Sequence, residues 1–130
     1  MTQASSQGPI GWTVTFKVKP GKLDDFRRIA QEASRAVRAA EPGLAVYAWL
    51  VGQDKTTVRV DLWFTGPEAA LQHLQGIAPQ KFLPQALAIA ELAGFEVHGT
   101  PTSALEKALA GFPVSGRNGE IAGYVLPPKA

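Results

Sequence analysis

Four side chains between residues 59 and 73 have types that can carry out chemistry: Arg59, Asp61, Trp63 and His73. Arg59, Asp61 and Trp63 alternate along the chain, so in an extended strand they lie on one face. A carboxylate and an imidazole can both accept a proton, and an unperturbed histidine titrates near neutral pH. A tryptophan can stack against a flat organic molecule. These residues are therefore candidates for acid–base chemistry on an aromatic compound.

Each of these residues also has a purely structural interpretation. Trp63 can pack the sheet against the following helix, because buried aromatic residues mostly belong to cores. His73 lies off the Leu71–Leu74 face of its helix, which favours an exposed histidine that caps or packs locally. Asp61 and Arg59 could bind a substrate hydroxyl or enolate, or they could form a salt bridge in a dimer interface. The sequence leaves these alternatives open.

Further candidate substrate-binding residues lie on neighbouring elements. Tyr47 and Trp49 alternate on a second strand, but whether they lie on the same face of the sheet as Trp63 depends on the strand register. Phe82 lies on a very apolar helix, and His98 ends a fourth strand. His98 lacks partners for a metal site, because the chain has two histidines and no cysteine, with carboxylates scattered along it. No glycine-rich spacing cradles a phosphate, so we predict neither a metal nor another cofactor.

Composition excludes several classes of protein. A chain of 130 residues is expected to form one domain. Its net charge is +2, with 13 Lys and Arg interleaved among 11 Asp and Glu, so no basic stripe predicts nucleic-acid binding. The apolar stretches are too short to span a bilayer. The absence of cysteine is compatible with a reducing compartment, and we predict a cytoplasmic protein without a membrane segment.

The periodicity predicts the elements that position these residues. Alternating residues from Trp12 to Lys19 predict a strand, and an apolar stripe of helical spacing predicts a helix over 22–40. The same patterns predict strands over 44–51, 56–65 and 95–98 and helices over 67–76 and 79–93. Two successive strand–helix–strand units are typical of an α+β, ferredoxin-like split βαβ fold with a four-stranded antiparallel sheet.

We divide the chain into three parts. Residues 1–11 are expected to be a flexible N-terminal segment, and 12–99 form the ferredoxin-like domain. Residues 100–130 are a C-terminal extension with one further helix over 102–111, for which Ser103 and Glu106 provide a capping box. Asn118 and Gly119 have turn chemistry, which suggests a weak hairpin or a tail that covers a neighbour.

Several short segments carry a resemblance to a known family. They are residues 14–22 (VTFKVKPGK), 41–43 (EPG) and 61–63 (DLW), followed by 68–70 (EAA) and His73. Together they resemble the antibiotic-biosynthesis-monooxygenase family of the dimeric α+β barrel superfamily, over about residues 12–98. Trp63 matches the family's tryptophan at the end of strand 3, and His73 matches its histidine on helix 2.

This resemblance implies a homodimer in which two sheets face each other, with a cavity between sheet and helices in each subunit. Family members include cofactor-independent quinol and polyketide monooxygenases, whose substrate supplies the electrons for oxygen. The haem-degrading branch is disfavoured: its strand 1 asparagine falls at about Val14, and its haem-binding histidine has no counterpart in 79–93.

Two hypotheses for function follow. The first is a cofactor-independent monooxygenase for a small aromatic or quinol-like substrate, with Trp63 as the stacking wall and Asp61 or His73 as the proton acceptor. Arg59, Tyr47, Trp49, Phe82 and His98 complete the predicted substrate site. The second is a non-catalytic homodimer that binds a small apolar ligand or fills the cavity with its own side chains.

Overall fold

The computed structural model of the protein describes residues 8–126. A five-stranded sheet has the order β2-β3-β1-β4-β5. The elements are β1 (Ile10–Val18), α1 (Leu23–Ala40), β2 (Leu44–Val51), β3 (Thr57–Phe64), α2 (Pro67–Leu74), a π-helical turn (Ala78–Phe82), α3 (Leu83–Leu87), β4 (Ala90–His98), α4 (Ser103–Leu109) and β5 (Gly116–Asn118). The predicted α+β ferredoxin-like fold is confirmed.

The sheet differs from the prediction at its edge. Strands β1–β4 pair antiparallel, as expected, but β5 adds a fifth strand parallel to β4. Because Asn118 ends β5 and pairs with His98, the hairpin suggested at Asn118 and Gly119 does not form. Strand β1 begins at Ile10, two residues before the predicted boundary. Most of the expected N-terminal segment (1–7) and the last four residues (127–130) lie outside the described residues.

Helix α1 follows its sequence pattern closely. Its apolar stripe is buried against the sheet through Phe26, Ala30, Ala33 and Val37. Acidic residues occupy the first turn and a basic residue the last, which suits the helix dipole. The helix ends at Ala40, since the residue before a proline is pushed out of the helical conformation and Pro42 makes Glu41 that residue.

The predicted helix over 79–93 is wrong in its second half. A π-helical turn and the short helix α3 end at Leu87, and the chain then enters β4 at Ala90. An apolar run such as 86–95 suits a buried helix and a buried strand equally well, so the pattern could not separate them. Pro79 and Pro84 also lack the N–H that a regular α-helix would use.

The two faces of the sheet differ in what covers them. Alternate side chains of β1, β3 and β4 form the core under the helices, with Trp12, Phe64 and Val97 almost fully buried. The opposite face carries Thr13, Asp61 and Trp63 in register across β1 and β3, and no helix of the described residues packs on it. We call it the open face.

The C-terminal extension packs onto the domain. Leu105 and Leu109 of α4 are 0% and 1% exposed within the same core. The N-cap is Thr102, whose hydroxyl accepts a hydrogen bond from the Leu105 amide at 3.2 Å. The predicted capping box at Ser103 is therefore one residue too late.

Candidate functional site

A cavity of about 90 Å³ lies between the helix face of the sheet and the segment from α2 to α3. Its wall is largely apolar, and four lining side chains carry a hydrogen-bonding atom: Trp12, Tyr47, Trp49 and His73. A cavity of about 150 Å³ is known to hold benzene. The present space therefore suits a small molecule, and a planar ring system of several rings would need the wall to move.

His73 is the one imidazole in this wall, and it is held by a buried carboxylate. Its Nδ1 lies 2.8 Å from Glu41 Oε1, and the two residues are 6% and 4% exposed. A carboxylate can only accept, so Nδ1 carries the proton in this contact. The lone pair of a neutral ring then resides on Nε2. The interpretation of His73 as an exposed residue is wrong.

Aromatic rings surround the imidazole. The ring centroids of Trp12, Tyr47 and Phe64 lie 6.2, 5.8 and 5.6 Å from that of His73. Such an apolar cage excludes water, which strengthens electrostatic interactions within it. The imidazole therefore has a fixed orientation beside a largely apolar cavity.

Sequence reasoning missed Glu41, which enters it only as part of the 41–43 (EPG) segment. One signal was available: a carboxylate at the C-terminus of α1 opposes the helix dipole and needs another reason to be there. The partner itself was hidden, because Glu41 and His73 are 32 positions apart. Glu41 reaches α2 since Pro42 holds it in an extended conformation, at φ −130° and ψ 82°.

Gly76 makes room for the second oxygen of this carboxylate. A Cβ atom on Gly76 would lie 2.9 Å from Glu41 Oε2 and 3.0 Å from the Gln72 carbonyl oxygen. Glu41 Oε2 is buried and has no hydrogen-bond partner among the described residues. The carboxylate thus fits tightly under the end of α2.

Tyr47 and Trp49 line the cavity from β2. Burial raises the pKa of the Tyr47 hydroxyl well above its usual value, and the nearby charge of Glu41 adds to this increase. The hydroxyl consequently stays protonated and can donate a hydrogen bond. Phe82, from the π-helical turn, also lines the cavity, so four predicted residues (Tyr47, Trp49, His73 and Phe82) are brought together.

The other four predicted residues lie on the open face. Arg59 binds Asp61 through two nitrogens, with the shortest N–O distance at 2.8 Å. The Trp63 ring stacks on His98 with ring centroids 5.4 Å apart. The sheet therefore separates Arg59, Asp61, Trp63 and His98 from the cavity. The expectation that Trp63 and Asp61 share a pocket with His73 is wrong.

Asp61 and His98 are joined by Thr13 in a chain of hydrogen bonds. The Thr13 hydroxyl donates to Asp61 Oδ1 at 3.1 Å and lies 2.9 Å from His98 Nε2. Since that hydroxyl proton is used, Nε2 must donate to the Thr13 oxygen. His98 Nδ1 then accepts from the Asn118 amide at 3.1 Å. Every group is satisfied with a neutral His98 that carries its proton on Nε2.

The surroundings of Asp61 make it a weak base. Hydrogen bonding from Arg59 lowers the pKa of Asp61 below its usual value, and a hydrogen bond from Thr13 contributes in the same direction. A carboxylate stabilised in its charged form is a poor proton acceptor. Among the described residues, no group of three or more His, Cys, Asp or Glu could hold a metal ion. No helix in residues 8–126 is long and apolar enough to cross a membrane.

Comparison with known sequences decides the family. The sequence profile described as antibiotic biosynthesis monooxygenase matches residues 9–85, which is more than half of the 130-residue chain. The chain belongs to the antibiotic biosynthesis monooxygenase family. The resemblance noted in the sequence is therefore confirmed. No protein with a curated description matches the chain.

Solved structures of similar proteins confirm the fold of this family member. MupZ from Pseudomonas fluorescens superposes with a TM-score of 0.73 at 20% identity, covering 93% of this chain and 96% of that one. SnoaB from Streptomyces nogalater, a cofactor-independent oxygenase, gives 0.60 at 14%, covering 73% and 95%. Protein SO0527 from Shewanella oneidensis gives 0.59 at 24%, covering 70% and 87%.

The matches to these structures differ in whether they include the C-terminal extension. Residues 100–130 make up almost a quarter of the chain, so a match over 93% must include most of them. The matches to SnoaB and SO0527 cover only 73% and 70% of the chain, which is close to the length of the ferredoxin-like domain alone. The fold of the extension is thus shared with MupZ.

Proposed function

We propose that the protein is a cofactor-independent monooxygenase that acts on a small aromatic or quinol-like molecule in the cavity between sheet and helices. The observation that carries this proposal is the buried pair of His73 and Glu41 in the wall of an otherwise apolar cavity. Membership of the monooxygenase family supports it. A similarly folded protein, SnoaB, is described as a cofactor-independent oxygenase.

In this proposal His73 is the proton acceptor and Glu41 is a positioning residue. A substrate hydroxyl or acidic C–H gives its proton to His73 Nε2, while Glu41 holds Nδ1–H and stabilises the imidazolium that forms. The apolar wall offers few hydrogen bonds to the negative charge of the substrate anion, so the anion remains electron-rich. Asp61 has no part in this chemistry, because it lies on the open face in a pair with Arg59.

The anion then reduces dioxygen without a cofactor. For a quinol, a C–O bond replaces one ring C–H bond and the product is a hydroxyquinone. The second oxygen atom leaves as water, with two hydrogens taken from the substrate. All four electrons that dioxygen accepts come from the substrate, so no further reductant is needed.

Oxygen uptake with hydroquinone tests this function, and the two histidines of the chain provide a matched pair of variants. We expect His73→Gln to lower the rate about 10²- to 10⁴-fold, the usual range for loss of a general base. His98→Gln, on the open face, should retain the wild-type rate. Uptake no faster than the uncatalysed reaction, or equal losses in both variants, would contradict the proposal.

A non-catalytic role in ligand binding is the second candidate, and the size of the cavity favours it. About 90 Å³ is smaller than the 150 Å³ cavity that is known to hold benzene, and a histidine paired with a carboxylate can be purely structural. This alternative predicts binding of small apolar molecules, with no oxygen uptake above the uncatalysed rate in the wild type or in either histidine variant.

We also propose that the protein is a homodimer joined through the open face. Val46 and Leu50 on β2 are 42% and 49% exposed, and Ile121 and Tyr124 in the C-terminal segment are 102% and 80% exposed. Such a collection of exposed apolar side chains is typical of an interaction surface. The ordered polar chain around Asp61 and His98 would then lie inside the interface.

A further inference from the structure

Two polar side chains of β2 point to how the cavity recognises its ligand. The Trp49 Nε1 atom is buried and has no hydrogen-bond partner among residues 8–126. The Tyr47 hydroxyl is its polar neighbour: burial raises the pKa of Tyr47, and a weak hydrogen-bonding interaction with Trp49 lowers it in part, although the contact falls outside full hydrogen-bond geometry. Both side chains line the cavity that also contains His73.

A buried donor without an acceptor is uncommon in folded proteins, because its hydration is lost and nothing replaces it. The neighbouring rings fix the indole in place. The Phe16 ring is stacked parallel to it with centroids 6.4 Å apart, and the Phe26 ring meets it edge-on at 5.8 Å. The indole therefore cannot easily turn to bring its N–H into full hydrogen-bond geometry with the Tyr47 oxygen.

We propose that the Trp49 N–H and the Tyr47 hydroxyl together bind one oxygen atom of the ligand. The ligand class that fits is a monocyclic phenol, enol or ketone, since its oxygen accepts both hydrogen bonds and its ring meets the apolar wall. This choice rests on the proposed use of the cavity as the substrate site. It would also set which edge of the ligand faces His73.

The protein's three tryptophans allow a direct test by NMR. Trp12 and Trp49 line the cavity, whereas Trp63 lies on the open face and provides an internal control. The three indole N–H signals of the wild-type protein are assigned with Trp12→Phe, Trp49→Phe and Trp63→Phe, or by elimination if one variant does not fold. Phenol, anisole and toluene are titrated as probes, because they share a ring and differ in the oxygen atom.

We expect phenol and anisole to move the Trp49 signal downfield, as a new hydrogen bond to oxygen should, while toluene binds without that shift. Trp49→Phe should weaken phenol and anisole roughly three- to tenfold, the usual value of one hydrogen bond, and leave toluene unchanged. The comparison between probes cancels any effect of the substitution on cavity size.

The proposal is overturned if toluene causes the same shift as the oxygen-containing probes, if all three probes lose affinity equally in Trp49→Phe, or if no probe moves a cavity signal. The measurement needs no turnover. If the probes bind with the expected shift but no oxygen uptake is measured, only the proposed monooxygenase function is refuted. If oxygen uptake is measured but the Trp49 signal does not shift, only the proposed role of Trp49 and Tyr47 is refuted.

Discussion

The pairing of Glu41 with His73 depends on a glycine, and this dependence can be tested. Alanine at position 76 would place a Cβ 2.9 Å from Glu41 Oε2, so the carboxylate or the end of α2 must move. We expect Gly76→Ala to destabilise the protein by about 1–3 kcal/mol, as overpacking usually does, and to lower any activity with it. Urea denaturation and oxygen uptake measure the two effects.

Gly119→Ala is the matched control, because nothing lies within 4 Å of a Cβ at that position. It should leave both stability and activity unchanged. If Gly76→Ala behaves like the control, the carboxylate is not held as tightly as the distances indicate.

The pairing of Asp61 with Arg59 should make the stability of the protein depend on pH. Its pKa is lowered in the folded protein, chiefly by Arg59. The stabilising contribution is therefore complete above the unfolded pKa, near pH 4, and is lost as the pH falls through the lower folded value. We expect Asp61→Asn to reduce stability by about 1 kcal/mol at pH 7, with the difference disappearing towards pH 2.

Urea denaturation of both proteins between pH 2 and pH 7 checks this expectation. Glu32→Gln is a suitable control, because Glu32 is exposed and lies in the middle of α1, away from both helix ends. A difference between wild type and Asp61→Asn that stays constant across this pH range would show that the Arg59 pair adds no pH-dependent stability.

At the level of elements, the C-terminal extension forms part of the cavity. Phe112 lines the cavity and packs on Phe95 with ring centroids 6.1 Å apart. Removing this half-buried ring enlarges the cavity. We expect Phe112→Ala to cost about 1–2 kcal/mol of stability and to strengthen the binding of two-ring probes such as 1-naphthol relative to phenol. Calorimetric titration measures both affinities.

Ser103→Ala is the control for this change, since Ser103 is exposed in the same extension and α4 is capped by Thr102. It should alter neither stability nor the ratio of the two affinities. An unchanged ratio in Phe112→Ala would mean that the extension does not limit the size of the ligand.

The same elements show how far a sequence can predict this fold. Strands β1–β3 and α1 were predicted well because their apolar spacing is strong and local. Helix α3 and β4 were not, because a run that is apolar apart from Glu91 has no clear period that separates helix from strand. The fifth strand has only three residues and depends on its neighbour β4, so local propensity could not identify it.

The candidate site was predicted only in part, for a related reason. Alternation correctly placed Asp61 and Trp63 on one face of β3. Alternation could not show which face of β3 lies under the helices and borders the cavity, because both faces carry aromatic residues. The partnership of His73 with Glu41 crosses from the end of α1 to α2 and leaves no periodic trace. Such contacts are set by tertiary packing.

For the whole molecule, the proposed dimer leads to a test with two matched residues. Val46 on the open face and Leu87 on the helix side are 42% and 43% exposed. We expect Val46→Glu to disrupt the dimer, since it would place a charge in a largely apolar contact, while Leu87→Glu should not. Light scattering after size-exclusion chromatography should give a mass of twice 13.8 kDa for wild type and Leu87→Glu.

A wild-type protein that elutes as a monomer, or a Leu87→Glu variant that dissociates as readily as Val46→Glu, would contradict dimerisation through the open face. Circular dichroism of each variant establishes that the charge has not unfolded the chain.

The two edges of the sheet finally differ in their tendency to aggregate. One edge ends in β5, a strand of three residues with the charged Arg117 at its centre. The other edge is β2, with eight residues and no charge among them (LAVYAWLV). Long, apolar, unpaired edge strands act as templates for the addition of further strands. Partial unfolding of this protein should therefore lead to fibrous aggregates that grow from β2.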